Sequence, residues 1–550
     1  VCNHTSVSMR DWAAVALTSL AKHAIKSKTS MDAKSQQEMI ISSLLALCSI
    51  PHIQVRRRQL DCVMSLMQTD GSFLLSTSWP NVIQIISAII DNDTGCELSL
   101  VRQGYLGLRL VSSDFLQSIP FDCISGLVEA ISRYSKQNTD QNISLSALTL
   151  LVKINFSLSF SSQIFQWTIS DFVYRKMEAV GNDASEAVWM VLYTCLSESC
   201  VDSRFAVRKS ACQTLLQTVT AHGHALRSAA WHNVIWQIMI PLLDKVRSQT
   251  RCASTEKSNG ELIMHHSRDT EQKQWTETCI HTLSAISKIF NSQRKSLLAL
   301  NDFGAVWEAF LGYLDWAACY ENAELSLSAI RSYQEVLLGK ISSQTLNVNS
   351  HEKSNGSEST IDVVAPELPQ AQWVESWKVW LRISRGLARQ GCAAMASSVN
   401  AETKSTSSTP RMNSSTSSLA SLAPGVYVPG PSHLTAILHI FPPLFDKVAK
   451  SITIDDLKYE SLPAVLESMM NVPIPSEQAP FVLPSSSTHL TPTQEALLEA
   501  VKIVFVECTI SGTSLRSAIP DQIRLLLKFA SMATQRISPN KVAPGGQKSY

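Results

Sequence analysis

The chain has 550 residues, 45% hydrophobic and only 17% charged, with 47 Lys and Arg set against 46 Asp and Glu for a net charge of +1. That length is several ordinary domains or many copies of one small unit, and so even a charge balance gives no overall field to draw in DNA or RNA. Gly (19) and Pro (21) make up about 7% of the chain, against about 12% in ordinary domains, which counts against an all-β architecture and suits long helices.

In chain order, a helical pattern starts almost at once. It carries an apolar residue, a small residue four later and an apolar residue four after that: Met9, Ala13 and Leu17. The same three places recur at Val55, Gln59 and Val63, with Gln59 the weak match, then at Leu100, Gly104 and Leu108, and at Ile143, Ala147 and Leu151. The starts step by 46, 45 and 43 residues, the length of an antiparallel helix pair with its turns. Further instances are Val207, Ala211 and Leu215, then Trp275, Cys279 and Leu283, then Leu325, Ala329 and Tyr333, at steps of 64, 68 and 50. A small residue between two large ones lets one helix lie close against the next. The best single instance runs from Asp202 to Leu216: Asp202 is expected to cap the helix, Val207, Ala211 and Leu215 to face inward, and Arg208 to face out towards neighbouring carbonyls or acids.

Apolar residues at three- and four-residue spacing predict further helices over 35–50, 79–91 with Pro80 in the first turn, 122–134, 186–200, 231–247, 373–387, 434–448, 493–508 and 521–532. No convincing alternating strand appears. The fold class is therefore all-α, a HEAT/armadillo-like helical-repeat solenoid with disordered Ser-rich linkers. Its expected organisation is HEAT-like repeats over 1–340, containing a polar loop at 248–274, then a flexible linker at 341–370, a helical segment at 371–396, a disordered Ser/Thr-rich linker at 397–431, a C-terminal helical region at 432–535 and a disordered tail at 536–550.

Thirteen cysteines stand without a Cys-x-x-Cys pair, and Cys48, Cys62, Cys212, Cys279 and Cys508 fall on apolar helix faces, as buried reduced thiols of a cytosolic protein do. The longest apolar stretch, 82–90, is interrupted by Gln84 and Ser87, too short to span a membrane. The opening at Val1, without an initiator Met or a signal core, reads as a piece of a longer protein whose end repeat would leave an apolar face open.

Residues that carry chemistry are sparse. His265 and His266 precede Asp269 and Glu271, but adjacent histidines point apart and no third ligand has a zinc-like spacing. His222, His224 and His232 form a better trio by type, outweighed by the reading of Gly223 as a turn between two repeat helices. Trp373, Trp377 and Trp380 share one helix face as core rather than as a ligand groove, and Arg56, Arg57 and Arg58 read as a solvated face. No phosphate-binding loop, dinucleotide fingerprint, nucleophile elbow or zinc-protease motif occurs. The sequence therefore assigns no catalytic, cofactor-binding or metal residue and predicts a non-enzymatic binding protein.

Several segments carry a family resemblance: Val1-Cys-Asn-His, Asn142-Ile-Ser-Leu-Ser-Ala, the run from Cys200 to Leu215, Ala221-His-Gly, Trp231-His-Asn-Val-Ile-Trp, Ile263-Met-His-His-Ser-Arg-Asp-Thr and Ala479-Pro-Phe-Val-Leu-Pro-Ser. Together they resemble the C-terminal half of the Mon-two (monensin-sensitivity) proteins, relatives of the large Arf guanine-nucleotide exchange factors that lack the catalytic Sec-seven domain. The resemblance implies a cytoplasmic scaffold, peripheral on the trans-Golgi network and endosomes, acting in endosome-to-Golgi recycling. It further implies a Dopey-type protein and an aminophospholipid flippase as partners, an Arf or Arf-like GTPase nearby, no cofactor and no nucleic acid. A nuclear-transport receptor is disfavoured because such receptors are markedly acidic. One departure stands out: family members read from a leucine pair directly into the Trp167-Thr-Ile-Ser-Asp segment, whereas here 152–166 intervenes, with ends that a retained short intron would encode. Those fifteen residues are expected to be an insertion from a transcript variant or gene-model artefact.

Overall fold

The computed structural model describes residues 1–26, 33–90, 97–152, 169–180, 182–253, 270–339, 366–402, 429–458, 461–471, 489–510 and 515–534. The chain divides into two units, Val1–Ala285 and Ile286–Tyr550.

The first unit holds α1 (Val7–Lys26), α2 (Ala33–Ala46), α3 (Ile53–Asp70), α4 (Trp79–Ser87), α5 (Leu98–Asp114), α6 (Ile124–Lys136), α7 (Gln141–Val152), α8 (Ile169–Val180), α9 (Asn182–Ser199), α10 (Phe205–His222), α11 (Ser228–Asn233) and α12 (Ile240–Cys252), with α13 (Glu271–Ser292) running through the division. Its helices form two layers. In one, α1 packs on α3, α3 on α5, α5 on α7 and α7 on α10; in the other, α2 packs on α4, α4 on α6 and α6 on α9. The triples of α1, α3, α5, α7 and α10 lie in the first layer. Val55, Gln59 and Val63 are buried, as are Ile143, Ala147 and Leu151, and Val207, Ala211 and Leu215. At Gly104 the reason for a small residue is direct: an added Cβ would come within 2.0 Å of the Tyr134 hydroxyl and 3.0 Å of Ile89 Cδ1.

Three expectations are corrected in this unit. Met9 is 43% exposed rather than inward, because no earlier helix among the described residues covers that side of α1. Asp202 precedes the first turn of α10 by too much to cap it: Arg204 holds the cap position without a side-chain bond, and Asp202 instead accepts from the Arg204 backbone N–H at 2.8 Å. Arg208 faces in, 1% exposed. The 64-residue step between the α7 and α10 triples accommodates a third helix, α8, which packs on α9. Val152 closes α7, and the rest of the expected insertion lies outside the described residues.

The helix predicted over 231–247 is continuous from α11 to α12 through a π turn, Val234–Met239, in which Ile240 N–H reaches back to Ile235 O. Pro241 explains the widening. It offers no N–H to the carbonyl four residues earlier and its ring crowds that carbonyl, so a wider turn keeps the helix unbroken.

The second unit continues with α14 (Arg294–Leu298), α15 (Phe303–Ala318), α16 (Ala323–Leu338), α17 (Gln370–Glu402), α18 (Pro431–Val448), α19 (Ile454–Leu457), α20 (Leu462–Met470), α21 (Pro492–Ile510) and α22 (Ile519–Thr534). Here α15, α17, α20 and α22 pack in succession, and α16, α18 and α21 form the second layer. Asn322 starts α16 by accepting from Leu325 N–H at 3.0 Å, and Gly339, at φ 62°, ends it in the left-handed conformation that glycine tolerates. Trp373, Trp377 and Trp380 are buried, Trp380 donating to Ile437 O at 2.9 Å and stacking on Trp377, with Phe441 and Phe445 of α18 around them. The helix expected over 371–396 reaches Glu402, so its last turns occupy the beginning of the segment assigned to the 397–431 linker. The linker at 341–370 lies outside the described residues except at 366–370, and the tail at 536–550 lies outside them altogether.

Candidate functional site

A few arginines of the first unit are built into its repeat junctions. Arg208 Nη1 donates to Asp202 O at 2.7 Å and Ser203 O at 2.8 Å, and Nε donates to Thr278 Oγ1 at 3.0 Å. Its guanidinium lies 4.1 Å from the centroid of the Trp275 ring, a cation–π contact between α10 and α13. Burial lowers the Arg208 pKa from its ordinary value, and the Asp202 carboxylate opposes that shift. Arg204 works in the other direction along the layer: Nη2 donates to Ser135 O at 3.0 Å, and Nη1 to Gln137 O at 2.8 Å and Ser144 Oγ at 2.9 Å, while Nε bonds Asp202 at 2.9 Å. The orphan carbonyls at the end of α6 are satisfied in this way. One Asp–Arg–Arg corner thus ties α6, α7, α10 and α13 together.

The same device appears at Arg10, which is 7% exposed and whose Nη1 donates to His4 O and Thr5 O, both at 2.7 Å, the same six- and five-residue offsets as Arg208. Arg56, in the matching place of α3, is also buried, at 3% exposure, and bonds Gln59. The expectation of a solvated Arg56–Arg58 face is therefore corrected at Arg56. Arg57 and Arg58 stay half-exposed, paired with Glu97 and Asp11. Gln59 reaches Leu44 O at 2.5 Å and Cys48 Sγ at 3.2 Å, so the weak match in the triples is a buried polar connector. In the second unit, Arg294 donates to Asn291 Oδ1 at 2.9 Å and to Val336 O, and burial pulls its pKa down to about 10.

Of the candidate histidines, His222 and His224 meet at Tyr174 and His232 does not join them. His222 closes α10 with its ring 5.2 Å from Trp189 and 5.3 Å from Tyr174, His224 Nε2 is 3.2 Å from the Tyr174 hydroxyl, and His232 lies by Trp236 instead. Gly223–Ala225 is a short 3-10 turn between α10 and α11. His265 and His266 lie outside the described residues, while the Thr270 hydroxyl accepts from Lys273 N–H at 3.3 Å at the start of α13. Among the described residues no group of His, Cys, Asp and Glu could hold a metal ion, and no helix is long and apolar enough to cross a membrane. Cys62, Cys212, Cys279 and Cys508 are buried as expected, and burial raises Cys62 to about 11 and Cys279 to about 12; Cys48 is only half-buried.

Among the described residues, several of the most exposed large apolar side chains fall near the two ends of the described helices. In the first unit these are on α1 and α2, where Trp12, Leu20 and Met39 are each 67% exposed; in the second they are on α21 and α22, where Ile510 is 74% and Leu527 66% exposed. Sequence periodicity does not reveal such faces, because an apolar residue that packs on a neighbouring repeat and one that awaits a partner look the same.

Stacked antiparallel helix pairs, small residues at the contacts and arginines bonded across the junctions define a HEAT/armadillo-like helical-repeat protein. A family model described as the C-terminal region of Mon2 protein matches residues 113–368 and 355–541. Over the whole chain the sequence is 93% identical to Monensin-resistant homolog 2 of Caenorhabditis elegans, covering 32% of that protein. It is 32% identical to Protein MON2 homolog of Drosophila melanogaster over 97% of this chain and 30% of that protein. The chain belongs to the Mon2 family and spans about a third of the length of these curated relatives. A shorter match, 29% identical over 18% of this chain and 6% of the other, is to Brefeldin A-inhibited guanine nucleotide-exchange protein 2 of Arabidopsis thaliana.

Proposed function

We propose that this chain is part of a non-enzymatic scaffold, peripheral on trans-Golgi and endosomal membranes, that holds partner proteins on its helical-repeat faces during endosome-to-Golgi transport. The observation that carries this reading is Mon2 family membership in a protein where Arg204 and the buried Arg208 join one repeat to the next. Such an arrangement makes a firm support for binding, since each repeat is held by its neighbours. The partners to which the reading commits are a Dopey-type protein and an aminophospholipid flippase. Affinity capture from cells with the 550-residue chain as bait tests it: recovery of either partner is expected, and capture that never recovers them contradicts the partner assignment.

A second reading, regulation of an Arf or Arf-like GTPase, is favoured by the short match to a guanine nucleotide-exchange protein. Nucleotide release from the purified GTPase is the discriminating measurement. An unchanged rate with the chain present dismisses this reading and leaves the scaffold.

A further inference from the structure

We propose that the open face of α1 and α2 is a repeat junction, and that in the longer family proteins it seats one further antiparallel helix pair of the same polypeptide. The argument begins with how the interior pairs are covered. Each first-layer helix from α3 to α7 has a first-layer neighbour on both sides, and the same holds for α4 and α6 in the second layer. Among the described residues α1 has such a neighbour only in α3, and α2 only in α4.

The uncovered side has the chemistry of a helix contact. A groove of about 170 Å³ runs between the two helices, lined by Leu17, Leu20, Ala21, Met39, Ile40 and Leu44, with Ser43 the one polar lining residue. Of its lining, Leu20 and Met39 are each 67% exposed, and Trp12 and Met9, the latter the first member of a triple whose counterparts are buried, are exposed on α1 as well. A terminal repeat that ends an array normally carries a polar outer face, whereas here Trp12, Leu20 and Met39 are exposed among the polar residues of α1 and α2. The absence of charge from the lining also argues against an anionic lipid surface, which basic residues would attract. The occupant is taken to be the same chain because the curated relatives are about three times as long and the matching family model is of their C-terminal region. The repeat spacing fixes its register: a small residue should stand about 45 residues before the position of Ala13, between two large apolar residues four away on either side.

The test compares the 550-residue chain with the full-length Caenorhabditis elegans relative, each with cysteine in place of Met39 (Met39→Cys, or the matching position), by maleimide labelling followed by peptide mass spectrometry. Cys252, exposed in this chain, is the internal reference. Labelling at position 39 is expected to be about tenfold or more slower in the full-length protein, as burial in a packed junction gives, with Cys252 little changed. Equal rates overturn the proposal. Protection in the 550-residue chain that grows with its own concentration also overturns it, and assigns the face to a second copy instead. Leu20→Glu supplies an independent reading, since Leu20 is exposed here: the unfolding midpoint of the 550-residue chain should not move, whereas the full-length protein should become sensitive to protease upstream of α1. Insensitivity of both overturns the proposal.

Discussion

Arg208 is a charged side chain almost fully withdrawn from water, and the contacts that hold it there set its value to the fold. Two loop carbonyls, the Thr278 hydroxyl and the face of Trp275 all lose their partner if it is removed. Arg208→Ala should destabilise the first unit by about 2–4 kcal/mol, read from chemical denaturation, because buried acceptors are left unpaired and a cavity remains. Arg208→Lys should recover little, since an ammonium neither stacks as a plane nor spans these acceptors. Gly104 gives a second contrast. Gly104→Ala drives a methyl into the Tyr134 hydroxyl, itself fixed by its bond to Ile86 O at 2.9 Å, and should lower stability by about 1–3 kcal/mol. Gly126→Ala in α6 meets no atom within 4 Å and should raise stability by about 0.5–1 kcal/mol through helix propensity alone. His433 predicts a pH dependence. It is 4% exposed, with Nε2 3.0 Å from Ala323 O, and burial, reinforced by Arg331, lowers its pKa from 6.5. The unfolded chain therefore takes up the proton first, so the His433 contribution is complete above pH 6.5 and is lost as pH falls through the depressed native value. Unfolding midpoints measured from about pH 7 down to about pH 5 should fall less steeply in His433→Gln than in the unaltered protein. At this scale the sequence misleads where polarity is taken for exposure. Arg10, Arg56 and Arg208 all follow or stand near apolar triple positions, and each is buried because backbone carbonyls of the preceding loop or a buried amide accept its protons.

Helices were the most legible level, for a physical reason. A helix that packs on both a partner and a neighbouring repeat must keep its apolar residues at three- and four-residue spacing, and that spacing is visible without coordinates. Six of the seven triples, those from α3 to α16, point inward; Met9 departs because burial at a repeat junction depends on a neighbour, which local spacing does not contain. The π turn ahead of Pro241 was equally hidden, since proline in sequence signals a break and only packing on both sides of it keeps the helix running. The long interval between α7 and α10 holds two helices, α8 and α9, where the shorter steps from α3 to α7 hold one each. The proposal that 152–166 comes from a transcript variant remains a matter for RNA: reads crossing the region should include a population lacking the 45 coding bases, and reads that always contain them refute it.

For the molecule as a whole, sequence composition and a repeat in the mid-forties were enough to identify a helical-repeat protein, because such folds write their period into the chain. The division at Ala285 and Ile286 was not visible, since it falls within α13, whose apolar pattern runs on unbroken. Function is written more faintly still. A repeat protein binds with faces rather than with a catalytic constellation, and open apolar residues such as Trp12 and Leu527 carry no sequence motif. The central claim is that this Mon2 family chain is a scaffold for trafficking partners, and affinity capture with the 550-residue chain, read by mass spectrometry, tests it most directly. The account predicts recovery of a Dopey-type protein or an aminophospholipid flippase. Recovery of neither, together with an Arf or Arf-like GTPase whose nucleotide release the chain accelerates, would contradict it.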